Sequence, residues 1–338
     1  MSQSVQFSKI QYGPEASAYG TEAVSYTELA RVQSIDLDPG DNSFIYDRGL
    51  GEGLNISNTY YGPFKSNNNS ITFDVVDFDF LKHWIGNLTG AGTAISPYTL
   101  TEATSISTTA GIGILQPFSI EELNDNESTD SVNTALGCVG TTFSLEGSIG
   151  SKLTCKANFT AQKTLFRTSG ETYTAVTDPA FIMLNGTFKW GATPTAISGV
   201  QEFTLNYDNG LIFDDETRDA VSRFQAIPNL GKGRKYTGRI GIKMATALAT
   251  TIINDFYGYS SGGVYSPNTG STSISPTADL EFKIELVNGS KYATIWVDQC
   301  SIDRLSKPVS LGGGLVILFF EFTAKYGKDN APIKWWSV

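Results

Sequence analysis

The sequence predicts a mainly β protein made of two tandem units, each with one flanking α-helix. Three observations carry this reading. Short apolar runs alternate with clusters of Gly, Ser, Thr, Asn and Asp along the 338-residue chain, the texture of strands separated by turns. One alternating stretch, VQSIDLD from Val32, returns as VQEFTLN from Val200, 168 residues on (200 − 32). The most apolar run, LVILFFEFTAKYG at Leu315–Gly327, has a weaker counterpart in LTCKANFTAQK at Leu153–Lys163.

In both copies of the first strand, alternate residues are apolar, so one strand face is expected to be buried. A long Gly/Asn/Asp-rich excursion follows each, at Pro39–Asn69 and Asp208–Tyr236. A strand then feeds a helix, in SITFDVVDFDFLKHWIGNLTG and in GRIGIKMATALATTIINDFYG. The spacing predicts a first helix over Asp77–Leu88, with Phe78, Leu81, Trp84, Ile85 and Leu88 on one stripe. Asp77 would cap it, and Gly86 or Gly90 would stop it. Its counterpart is expected over Ala245–Asp255, presenting Met244, Leu248, Ile252 and Phe256. The closing strands also correspond: Cys138 matches Cys300 at an offset of 162, and Phe159 matches Phe322 at 163. The polar stretch FRTSGETYTAVTDPAFIML places the boundary near residue 175, giving units 1–175 and 176–338.

The formal charge is −10, from 24 basic against 34 acidic residues, which argues against binding a phosphate backbone. Three cysteines without CxxC spacing are expected to be free, buried thiols. The polar start MSQSVQFSKIQYGPE has no apolar signal region, and LVILFF is too short to span a bilayer, with Glu321 close behind. The expectation is synthesis in a cytoplasm and no membrane anchor. His83, the single histidine, sits inside the predicted helix and reads as a buried helical residue rather than a metal ligand or base. GKGRKYTG at Gly231–Gly238 lacks the P-loop order, and DLDPGDN lacks the EF-hand ligands. The adjacent carboxylates Glu121/Glu122 and Asp214/Asp215 point to opposite faces if they lie on strands; a catalytic pair from distant strands stays open. Seven NxS/T sequons read as compositional. No catalytic residue, cofactor or metal site is predicted.

Both long loops carry aromatics and charges of both signs, unlike solvated linkers. They are expected to contact neighbouring chains through Tyr46, Arg48, Tyr60, Tyr61 and Phe64 in the first, and Phe213, Arg223, Phe224, Lys232 and Arg234 in the second. The basic cluster Lys232, Arg234, Lys235, Arg239 and Lys243 would meet acidic residues of a neighbouring copy around Asp36, Asp38, Asp41 and Asp47, or form a solvated face.

The order of parts resembles the tail tube (major tail) proteins of long-tailed bacteriophages and related archaeal viruses. The resemblance lies in YGPEASAYGTEAVSYTELARVQSIDL, where Gly20-Thr21 precedes the first strand, and in FKIELVNGSKYATIWVDQCSIDRLSKPVSLGGGLVILFFEFTAKYG at the end. It implies a β-sandwich with a flanking helix, assembled into rings that stack into a hollow tube for genome passage. Two such units per chain imply that three chains make a pseudo-sixfold ring. The partners would then be the chain itself, other tail proteins at the tube ends, and viral DNA passing an acidic or neutral lumen without specific binding. The competing reading is a carbohydrate- or receptor-binding β-sandwich of a virion decoration or adhesin protein, with Trp335 and Trp336 as a stacking platform.

Overall fold

A computed structural model describes residues 7–337 except 16, 39–40, 48–57, 66–67, 126–130, 171, 184–186, 192–194, 213–226, 232, 244–279, 307–316 and 325–332. The described chain is mainly β, as its texture predicts. The first half holds β1 (Phe7–Pro14), β2 (Tyr26–Glu28), β3 (Val32–Asp36), β4 (Asp41–Asp47), β5 (Asn58–Lys65) and β6 (Asn68–Asp74). A 3-10 turn (Asp79–Leu81) and α1 (Lys82–Ile85) lead to β7 (Gly86–Thr89), β8 (Tyr98–Glu102), β9 (Ser105–Ile106) and β10 (Ile114–Leu115). β11 (Phe118–Asp125), β12 (Ser131–Ser148), β13 (Thr154–Thr160), β14 (Lys163–Arg167) and β15 (Tyr173–Thr174) complete it. The second half holds β16 (Thr187–Gly191), β17 (Thr195–Ile197), β18 (Val200–Asp208), β19 (Leu211–Ile212), β20 (Asn229–Leu230) and β21 (Lys235–Lys243). It ends with β22 (Leu280–Asn288), β23 (Lys291–Ser306), β24 (Ile317–Ala324) and β25 (Ile333–Ser337).

The strand β12 organises the first half because it serves two layers. Its first part pairs with β11 and β14, and its second part with β13. β1 and β2 extend the β11 side, and β6 and β3 extend the β13 side. Apolar residues on alternate positions face inward from both layers, and Phe118 of β11 meets Phe159 of β13 at 5.5 Å between ring centroids. The second half uses the same order of pairings. β23 joins β22 and β25 through its first part and β24 through its last, with β16–β17 beyond β22 and β21–β18 beyond β24. There Phe282 meets Phe322 at 5.2 Å.

Register irregularities recur at corresponding places. The β11–β12 ladder shifts between Phe118 and Ile120, with Phe118 opposite Cys138. The β22–β23 ladder shifts between Leu280 and Phe282, with Leu280 opposite Cys300. The Cys138 thiol donates to the Ala135 carbonyl and the Cys300 thiol to the Val297 carbonyl, both at 3.4 Å. Further shifts match at Gly140/Thr142 with Ile302/Arg304, and at Val32/Ser34 with Val200/Glu202. All three cysteines are free and buried.

The helix differs from its expectation. It occupies 79–85 rather than Asp77–Leu88, and Leu88 lies in β7 opposite Leu100. The cause is local. Gly86 has φ 147°, and a Cβ there would lie 2.4 Å from the Thr101 carbonyl oxygen, so the chain leaves the helix to pair with β8. Asp77 does not act as the N-cap; its carboxylate accepts from the Asp79 N–H two residues on. The predicted stripe is nonetheless buried at Phe78, Leu81, Trp84 and Ile85. The second predicted helix, Ala245–Asp255, lies outside the described residues.

Trp84 joins the helix to both layers. Its ring lies over Gly140, where a Cβ would come within 2.3 Å, and its indole N–H donates to the carbonyls of Thr142 and Asn158. These carbonyls belong to β12 and β13 at their register shift. Trp84→Ala removes a fully buried ring and should cost about 3–5 kcal/mol in denaturant unfolding. A loss below about 1 kcal/mol would contradict the assigned packing.

Candidate assembly surfaces

The two halves are joined by a seam of backbone pairing. Residues 142–148 of β12 run antiparallel to residues 202–208 of β18, from Thr142 opposite Asp208 to Ser148 opposite Glu202. Phe143, Leu145, Phe203, Leu205 and Tyr207 are all at most 2% exposed, so the seam is sealed on its inner face. Side chains reinforce it. Asn209 donates through Nδ2 to the Gly140 carbonyl at 2.9 Å, and its N–H donates to the Thr141 carbonyl. Arg234 donates to the Ala103 carbonyl. The short hairpin β19–β20 leans Leu211 and Leu230 on the small cluster of Ala103, Leu115 and Val139. A second bridge pairs β25 with β8, placing Ile333 opposite Leu100 with both side chains fully buried.

Several strand edges lack such cover among the described residues, and three of them have exposed or half-buried apolar side chains at hand. β3 pairs with β6 only, the last part of β23 with β24 only, and β14 with β12 only. Ile35 and Leu37 beside the first edge and Leu305 on the second are half-buried. On β14, Phe166 is 69% exposed. Unpaired edges with apolar neighbours are templates for another chain.

The outer face of the joined sheet is polar. Thr142, Ser144 and Glu146 of β12 stand beside Lys156 and Asn158 of β13 and Asn206 and Asp208 of β18. Lys235 and Arg239 of β21 continue this face, with Arg239 stacked 4.0 Å from the Phe319 ring. Charges of both signs are interleaved.

The sequence-predicted contact residues fall in several places. Tyr46 lies on β4, and Tyr60, Tyr61 and Phe64 on β5, where the hairpin sets Tyr60 opposite Ile45 and Tyr61 opposite Phe44. Arg48, Phe213, Arg223, Phe224 and Lys232 lie outside the described residues. Arg234 is engaged within the chain, at the seam between the halves, while Lys235, Arg239 and Lys243 are exposed. The exposed Phe166 was not among the expected contacts. Its sequence signal is the match of LFR after the first closing strand with PIK after the second, which sets Phe166 against Ile333. His83 is fully buried, its Nδ1 2.8 Å from the Gln116 carbonyl, and burial together with Lys82 holds its pKa down to about 3. A neutral imidazole in a ring cluster of Tyr12, Phe80 and Phe118 is a packing residue. Among the described residues, no group of three His, Cys, Asp or Glu is placed to hold a metal ion.

The N-terminal arm fixes the open edge at β14. The Arg167 guanidinium reaches Glu22, Glu121 and Thr134, tying β14 to the arm and to β11 and β12. Glu15, fully buried, accepts from the N–H groups of Gly20 and Gly137 and from the Ser119 hydroxyl. Gly20 and Gly137 have φ of 75° and 65°, conformations that favour glycine, which explains the Gly before Thr21. Burial raises the Glu15 carboxyl from 4.5 to about 7, against the lowering effect of these donors. The folded state therefore holds this proton more tightly than the unfolded chain. Its stability contribution is complete below about 4.5 and is lost as the pH rises through about 7. Thermal melts between pH 5 and 8 should show a falling midpoint, and Glu15→Gln should flatten the fall. Equal slopes would show that Glu15 is already ionised in its buried site.

Among curated proteins nothing matches this sequence. The family model described as phage tail tube protein matches residues 8–324, from β1 to the end of β24 and thus through both halves. That family's members are structural components of the virion tail. The sheet architecture, its open edges and this match agree: the chain belongs to the phage tail tube protein family.

Proposed function

We propose that this chain is an internally duplicated tail tube protein whose activity is assembly. Each copy supplies two tail-tube units, with the boundary near residue 175, to a ring of six positions. Three copies complete the ring, and rings stack into the hollow tube through which viral DNA passes at ejection. The observation that carries this is the repeated order of strand pairings, with register shifts at three corresponding places. Bulges are specific local features of a ladder, and independent origin of three in one order is hard to obtain.

The polar face of the joined sheet suits a lumen. It offers hydrogen-bonding groups and charges of both signs rather than a basic stripe, so a passing duplex finds few sites where it would release counterions and stick. The loops 39–69 and 208–236 serve contacts between copies and between rings, with Tyr46, Arg48, Tyr60, Tyr61, Phe64, Phe213, Arg223, Phe224 and Lys232 as the contact residues. Other tail proteins cap the tube ends. The role is structural, without catalysis.

Negative-stain microscopy of the concentrated protein tests the reading. Hollow tubes or stacked rings are expected. A population that stays monomeric at high concentration and binds a glycan specifically would favour the decoration or adhesin reading instead.

A further inference from the structure

We propose that the last part of β23 in one copy pairs antiparallel with β3 of the next and with the two residues that follow it, Ser306 opposite Asp38, so that the contact between copies repeats the seam inside the chain. This rests on the ring reading and specifies which edges of that ring meet and in what register. The register follows from the pairings. Inside the chain Ser144 lies opposite Asn206. The offset of 162 that relates Cys138 to Cys300 carries Ser144 to Ser306, and the offset of 168 that relates Val32 to Val200 carries Asn206 back to Asp38. The two strands that meet at the internal seam thus have counterparts at opposite ends of the chain's sheet, and each counterpart is paired on one side among the described residues.

Burial points to the same partner. Phe143 at the internal seam is 2% exposed, whereas Leu305, its counterpart on β23, is half-buried. Leu205 and Phe203 are sealed, whereas Leu37 and Ile35 are half-buried. The second bridge repeats the contrast more strongly. Phe166 lies opposite Asn133, and Ile333 opposite Ile295, again 162 residues apart (295 − 133), so Phe166 and Ile333 correspond. Ile333 is fully buried against β8, while Phe166 is 69% exposed. A second copy adding its second half beside β14 would cover Phe166 as β8 covers Ile333. Edges at opposite ends meet head to tail, the heterologous contact that closes into rings.

Paired cysteines test the register. Directly opposed residues on antiparallel strands have Cβ atoms about 5 Å apart, close enough for a disulfide with small adjustment. After mild oxidation of assembled protein, Ser306→Cys with Asp38→Cys should link neighbouring copies. Ser144→Cys with Asn206→Cys should link within one chain, as the internal control. Ser306→Cys with Asp36→Cys, two residues out of register, should link at least tenfold less. Preferential linkage of the Asp36 pair would overturn the register. Tubes without linkage of the Asp38 pair would overturn the seam and leave the tube reading standing, whereas a wild-type chain that never assembles would remove both. A second variant is independent of cysteine chemistry. Phe166→Asp, at an exposed site, should leave the monomer's thermal midpoint unchanged and abolish tubes, and tubes of normal length from that variant would overturn the covered edge at β14.

Discussion

Backbone pairing between β12 and β18 is the interaction on which the rest of this structure depends. A sheet edge carries a row of N–H and C=O groups that must find partners or water. Seven consecutive residues on each side find them across the boundary between the two halves. That pairing joins the two halves of the chain into one continuous surface, apolar on the inner face and polar on the outer. It also sets what remains: among the described residues, the corresponding strands of the opposite half, β3 and the last part of β23, are each paired on one side. We propose that a further copy completes the chain in the same manner.

The layers behind the seam are tied to it through β12. β12 runs through both layers of the first half, and Trp84 ties β12 to β13 at their register shift. The buried carboxylate of Glu15 and the guanidinium of Arg167 fasten the N-terminal arm across the first half, so β14 is held from behind while its Phe166 faces out. The polar groups of Trp84, Glu15 and Asn209 are spent largely on backbone. His83, the one residue a chemist would first suspect of catalysis, is neutral and packed among rings.

Much of this architecture was legible in the sequence where one residue's environment repeats. The alternation from Val32 and from Val200, the cysteines 138 and 300, and the phenylalanines 159 and 322 all mark strands that occupy corresponding positions in the pairing order. The helix was legible in its burial but not its length. Apolar spacing at 78, 81, 84, 85 and 88 suits a helix, and Leu88 suits a strand equally well once Gly86 turns the chain. Just past the boundary expected near residue 175, Phe181 is bonded through its backbone to Val75 and Leu153, a long-range contact that no local pattern reveals. The contact surfaces were the least legible. Arg234, expected at a contact between chains, donates within the chain to a carbonyl 131 residues away that no local pattern reveals. Phe166 stands in a short polar context, and only its correspondence with Ile333 marks it as an edge residue awaiting cover.

If one chain fills two positions of a six-position ring, the number of chains per ring is fixed. The most direct measurement is the mass of a single ring, by mass photometry of short assemblies or by counting copies in a cryo-microscopy reconstruction. Three copies of the 36.5 kDa chain are expected per ring, with pseudo-sixfold symmetry in which alternate positions differ. Six copies per ring would contradict this, because each chain would then occupy one position and its two halves would have to play different parts.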